Sequence, residues 1–192
     1  MFDYKFVLTI LAIAAGFIGY VLYIRNILSG KAKPHAFSWF VWALIACIAF
    51  SAQVAGKGGH GALIMGFTAL ACIIIALLAL FKGKRDFPLF DWFCLISAFA
   101  AIGLWLYTKN PVSAVVLITI TEVFAFMPTF RKGYFKPHEE TATTFGLSGL
   151  TFFLSLFALD RFTVTTALYP AALVATNFSF VAMLLIRRRM VG

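Results

Sequence analysis

Seven nearly uninterrupted apolar stretches, at roughly 6–24, 38–55, 62–81, 88–107, 112–129, 142–159 and 165–186, take up almost the whole of this 192-residue chain. Each is about as long as a helix must be to cross the ~30 Å hydrocarbon core of a bilayer. Lipid offers no partners to an open backbone, so spans of this kind are predicted to be helices. The stretches between them are short, and no polar segment remains from which to build a soluble domain. The chain is 62% hydrophobic, too much apolar surface for a water-soluble domain of this size to hide. The fold class expected is an all-α membrane protein with seven transmembrane helices. Asp3 and Lys5 precede a first run longer than the apolar region of a secretory signal, and no small-residue cleavage site follows it, so no removable signal is expected.

The sixteen basic residues fall unevenly between the two ends of such a bundle. Arg25, Lys31, Lys33, Lys82, Lys84, Arg85, Arg131, Lys132, Lys136, Arg187, Arg188 and Arg189 follow the first, third, fifth and seventh runs, whereas Lys5, Lys57, Lys109 and Arg161 lie on the other side. Twelve against four predicts a cytoplasmic C-terminus and an outside N-terminus, in the inner (plasma) membrane. The net charge of +9 then belongs to membrane-facing loops, and nucleic-acid binding is not expected. The partners implied are the lipid bilayer and a small-molecule substrate, with homo-oligomerisation left open.

Two loops carry the same words. Gly30, Lys33, Pro34, His35 and Ser38 recur as Gly133, Lys136, Pro137, His138 and Thr141, shifted by 133 − 30 = 103 residues. Part of this is ordinary helix-start chemistry. Proline suits a first helical turn, where its missing N–H is no loss, and Ser or Thr caps the helix that follows. That chemistry does not account for the same spacing twice, between runs one and two and again between runs five and six. A shift of four spans is even, so both copies face the same way. The expected organisation is two parallel three-helix repeats, residues 1–86 and 110–192, joined by a linker helix at 87–109 in a 3+1+3 order. Parallel repeats of this kind occur in transporters whose substrate site lies between the halves.

This pattern, and the segment MPTFRKGYFKPHEETATTF from Met127 to Phe145 above all, resembles the SWEET sugar transporters and the wider PQ-loop superfamily. The resemblance implies a proline hinge near the cytoplasmic end of the first helix of each unit, followed by a basic turn and a Ser/Thr-rich second helix. Pro128 matches that hinge in the second unit, and Pro34 and Pro137 in the cytoplasmic turns complete the expected gate. Thr129 follows Pro128 where the superfamily has glutamine, and the 103-residue shift puts Arg25-Asn26 at the hinge position of the first unit.

Polar residues inside the apolar runs are the candidates for chemistry. Of seven acidic residues, only Glu122 is deep. It lies ten residues past Val112, about 15 Å along a helix. A charge at mid-depth costs at least ~2.5–3.5 kcal/mol and usually marks a pathway. No Lys or Arg lies at its level, so it is neutral, hydrated, or facing a ligand. Asn177 is the second deep polar group, on one helical face with Thr166, Pro170 and Val174. The resemblance implies substrate contact for an asparagine so placed, while an interhelical hydrogen bond is the plainer alternative. Thr141, Thr144, Ser148, Thr151 and Ser155 repeat at steps of three and four and either line a path or bind helices together; Ser148 and Thr151 join the expected substrate site. Trp42, a turn deeper than Trp39, offers a stacking surface. Ala12, Gly16 and Gly19 give small-residue spacing for close packing. His35 and His138 read as interfacial and His60 as part of a flexible outer loop, so no metal site and no cofactor are expected. Cys47, Cys72 and Cys94 read as packed thiols.

These residues point first to a carrier for a small polar metabolite, sugar- or vitamin-like, working by alternating access, either by facilitated diffusion or coupled to protons through Glu122. A receptor that binds a ligand on the same scaffold without moving it is the second class. An enzyme is not expected, because Glu122 is alone and no Ser–His or Cys–His pair shares its depth.

Overall fold

The computed structural model describes residues 3–30, 34, 36–82, 89–135, 137–139 and 142–191. Among them are seven α-helices: α1 Tyr4–Leu28, α2 Ala36–Ala55, α3 His60–Lys82, α4 Leu89–Thr108, α5 Pro111–Phe135, α6 Ala142–Ala158 and α7 Val164–Val191. One 3-10 turn spans Pro137–Glu139, and the described residues contain no strand. Each apolar run coincides with one helix. The ends of α1, α5 and α7 reach four to six residues beyond the runs, through Arg25, Arg131 and Arg187–Arg189. Apolarity marks where lipid would stop, but the helix continues, since basic residues suit its negative C-terminal end.

α1, α3, α5 and α7 are long and apolar enough to cross a membrane. Apolar stretches of α2, α4 and α6 are shorter; α6 has 17 residues, about 26 Å of rise. The distribution of side chains is inside-out relative to a soluble bundle. Phe6, Ile10, Phe17, Leu70, Leu77, Ile96 and Leu106 face outward, while Gln53, Thr68, Glu122, Thr151, Ser155, Thr166 and Asn177 are buried. An exterior this apolar is an aggregation hazard in water and an ordinary surface in lipid. Three of the buried threonines spend their hydroxyls on their own helix. Thr68 donates to Ile64, Thr119 to Val115 and Thr121 to Leu117, each four residues back.

α3 packs against both α1 and α2, and α7 against both α5 and α6. α1 lies along α6, and α2 along α5; α3 also meets α6, α2 meets α7, and α4 packs on α5 and α2. The central core runs through Val41, Ile45, Ala98, Val115, Ile118, Phe152 and Leu173. The seam between α1 and α6 is made by small residues. A methyl on Gly16 would stand 3.4 Å from Thr151 Oγ1, and one on Gly19 4.0 Å from Leu147.

Pro170 sits inside α7. Having no N–H, it leaves the Thr166 carbonyl without its helical donor. Gln53 of α2 fills the vacancy, its Nε2 donating to that carbonyl at 2.8 Å. Its own Oε1 is buried without a protein partner among the described residues. Gln53→Leu therefore exchanges one orphaned oxygen for another, and its net cost in thermal unfolding should stay within about 1 kcal/mol. In a Pro170→Ala background, where an N–H is restored to α7, the same substitution should instead stabilise the protein. Equal effects in the two backgrounds would show that Gln53 and Thr166 are not coupled.

Candidate functional site

Glu122 lies eleven residues beyond Pro111, about 17 Å up α5. Val115, Ile118, Thr119, Glu122 and Phe126 are all buried, spaced as one face of a helix, while Ile120, Val123 and Phe124 are exposed. The carboxylate thus points inward because its face is the packed one. Its neighbour across the interface with α7 is Tyr169, whose hydroxyl donates to Glu122 Oε2 at 3.4 Å. The described ion pairs all lie elsewhere, at the end of the bundle that carries the N-terminus.

Two more helices bring polar groups to the same region. Tyr20 of α1 neighbours Thr68 and Cys72 of α3. Tyr20, Cys72 and Tyr169 are each near enough to Glu122 to interact with it electrostatically. Cys72 is twelve residues into α3, about 18 Å along it, close to the height of Glu122 along α5. The result is a group of one carboxyl, two phenols, a hydroxyl and a thiol, drawn from α1, α3, α5 and α7, with Tyr20 half-buried and the others buried. It offers hydrogen bonds and one site for a positive charge. Among the described residues no cluster of His, Cys, Asp and Glu suited to a metal ion occurs.

The other expected site residues have contacts of their own. Asn177 is buried on α7, and its Nδ2 donates to Leu173 of its own helix at 2.8 Å. Trp42 is half-buried on α2 and meets Trp39 edge-on, ring centres 5.2 Å apart; Trp39 in turn lies 5.2 Å from Tyr23 of α1. Thr151 donates to Leu147 at 2.9 Å and to Ala12 of α1 at 3.3 Å, so its hydroxyl is engaged in the α1–α6 seam. Ser148 is half-buried one turn away. Pro34 is buried, and Pro137 opens the 3-10 turn with its carbonyl accepting from Arg188 Nε at 3.1 Å. Pro128 lies within α5, but its side chain, like His35 and Thr141, is outside the described residues. Of the three cysteines, Cys72 and Cys94 are buried and Cys47 is half-buried.

Sequence reasoning missed Tyr20 and Tyr169. Both sit in apolar runs, where an aromatic ring reads as more hydrophobic surface. The available signal was the phenol itself, since a tyrosine far from the membrane interface needs a partner for its hydroxyl. His60, expected in a loop, instead opens α3. Comparison of the chain with family models, with characterised proteins and with solved structures yields no match.

Proposed function

We propose that the protein is a carrier for a small polar metabolite, built as two parallel three-helix units in the SWEET-like manner. α1–α3 form one unit, α5–α7 the other, and α4 is the linker, with the N-terminus outside the plasma membrane and the C-terminus in the cytoplasm. The packing supports this reading. Exchanging α1 for α5, α2 for α6 and α3 for α7 turns the α1–α3 contact into α5–α7 and the α2–α3 contact into α6–α7; it likewise turns α1–α6 into α5–α2 and α3–α6 into α7–α2. All eight contacts are present. The observation that carries the function is Glu122. It is a buried carboxyl at mid-helix whose one hydrogen bond among the described residues is long, gathered with polar groups from both units. A group so costly to hold in lipid is expected to serve a path. One carboxyl among phenols and a hydroxyl favours a cationic or hydroxyl-rich solute over an anion. Trp42 and Asn177 flank the path on α2 and α7.

The test is a thermal-shift screen of the purified protein against metabolite pools, followed by uptake of the hits into proteoliposomes. A hit should enter with saturable kinetics absent from empty liposomes. Trp42→Ala and Asn177→Ala should each weaken it by about tenfold if each supplies one contact of ~1.4 kcal/mol. Binding without uptake would replace the carrier with a receptor on the same scaffold. A hit unaffected by both substitutions and by Glu122→Gln would place its site elsewhere.

A further inference from the structure

The ends of α1, α3 and α6 meet at the face that carries the N-terminus, and one side chain gathers them. Asp160, on the short loop between α6 and α7, accepts from Lys5 Nζ of α1 at 3.1 Å and stands 3.4 Å from His60 Nδ1 at the start of α3. The other ring nitrogen of His60 is 3.6 Å from Asp3, which caps α1 by accepting from the Lys5 N–H. The Asp160 N–H also donates to Gly58 at 3.0 Å. The histidine thus lies between two carboxylates, beside the edge of the Phe6 ring. The remaining charges of the adjoining turns, Lys57 and Arg161, are exposed.

The sequence of the α2–α3 turn, Gly56-Lys57-Gly58-Gly59-His60-Gly61, is shaped to receive that loop. Gly59 has φ +57°, and a methyl on it would overlap the Asp160 carboxylate. A methyl on Gly56 would press on Thr166 at 2.8 Å, and one on Gly61 on Leu159. The three glycines together leave a socket for Leu159, Asp160 and the first turn of α7. Gln53, bonded to Thr166, extends the contact inward.

We propose that this contact is a proton-sensitive latch, in which Asp160 pins the two three-helix units together at their outer face and protonation of His60 tightens the closure. It rests on the carrier reading, since opening the outer side of such a carrier would require the α6–α7 loop to leave its socket. Imidazole is the side chain that gains charge between pH 8 and 5. With a proton on the His60 ring, its contacts with Asp3 and Asp160 are ion pairs. Mild acid therefore favours the closed outer face. Stronger acid reverses the effect. Burial raises the Asp160 carboxyl, but hydrogen bonds from Lys5 and His60 and their charge outweigh it and hold the carboxyl below the ordinary aspartate range. A carboxyl lowered on folding stabilises the closed form above its ordinary range, and that stabilisation is lost as pH falls through the lowered value.

Cys72 is a built-in reporter of opening. With Cys47 and Cys94 replaced by serine, its reaction with a membrane-impermeant maleimide can be followed separately from each side of oriented vesicles. Asp160→Asn and Gly59→Ala should speed labelling from the outer side about two- to fivefold at pH 5.5, the scale of partly exposed ion pairs. His60→Gln should do so at pH 5.5 and not at pH 8; comparing variants at one pH cancels the thiol's own response. His60→Arg should label slowly at both. Outer labelling that is the same in wild type, Asp160→Asn and His60→Gln overturns the latch, and the carrier reading survives if Cys72 is still reached from the cytoplasmic side. No labelling from either side in any variant overturns both.

Discussion

Glu122→Gln should leave the protein at least as stable as wild type and reduce uptake of its substrate by about tenfold or more. The two halves of this expectation have separate causes. Glutamine keeps the shape of the side chain and can still accept from Tyr169, whose hydroxyl is 3.4 Å away. What it loses is an ionisable group held among apolar helices, and removing that group relieves whatever part of the ~2.5–3.5 kcal/mol cost of a charge at this depth the wild type bears. A residue kept for packing would show the reverse, with stability falling and activity following it. A hydrogen bond from a substrate to a charged partner is worth about 1.5–3 kcal/mol, which is a loss of roughly ten- to a hundredfold when the charge goes. If a proton travels with the substrate, the pH dependence of uptake should also flatten in Glu122→Gln while persisting in Tyr169→Phe. Wild-type uptake rates in the glutamine variant would remove Glu122 from the path, and an unchanged pH profile would remove proton coupling through it.

The helices were legible in the sequence because one physical requirement fixes them. Seven runs of lipid-compatible length allow almost no other arrangement, and each proved to lie on a helix. What those runs could not say is which face of each helix turns inward. α1 exposes Phe6, Ile10, Phe17 and Leu22 and buries Thr9, Ala12 and Gly16, a reversal invisible to a method that looks for apolar cores. The inward position of Glu122 was legible for the same reason, since a carboxyl has nowhere else to go. The fate of Thr151 was not. A hydroxyl on a polar stripe reads equally as lining or as adhesive, and only the approach of Ala12 from α1 decides how it is used. Asp160 is one of the six acidic residues that are not deep, and nothing local marks it out. Its partners Lys5 and His60 are 155 and 100 residues away in the chain, beyond the reach of any local pattern.

The paired loop motifs carry the same glycine for two different physical reasons, and substitution should separate them. Gly30 ends α1 with φ +73°, following Ser29, whose N–H bonds back to Arg25; its own N–H bonds back to Ile27, and nothing lies within 4 Å of where a methyl would stand. Gly30→Ala should therefore cost about 1 kcal/mol, from the left-handed backbone alone. Gly133 lies inside α5 instead, buried, and a methyl there would stand 2.6 Å from the Phe180 ring and 3.1 Å from Leu184. Phe180 cannot retreat. It is fully buried, with the rings of Phe145, Phe130 and Phe126 at 4.4, 5.2 and 5.9 Å. Gly133→Ala should cost about 2–3 kcal/mol and Gly133→Val more, since overpacking a rigid aromatic group forces several side chains off their rotamers. Phe180→Leu should be destabilising alone by loss of contact, yet combined with Gly133→Ala it should cost less than the two effects summed, because the smaller side chain makes room for the methyl. Thermal unfolding of the four proteins in detergent gives the coupling directly. Additive losses would mean that α5 and α7 can part to admit the methyl, and that the four-phenylalanine cluster does not hold this end of the second unit rigid.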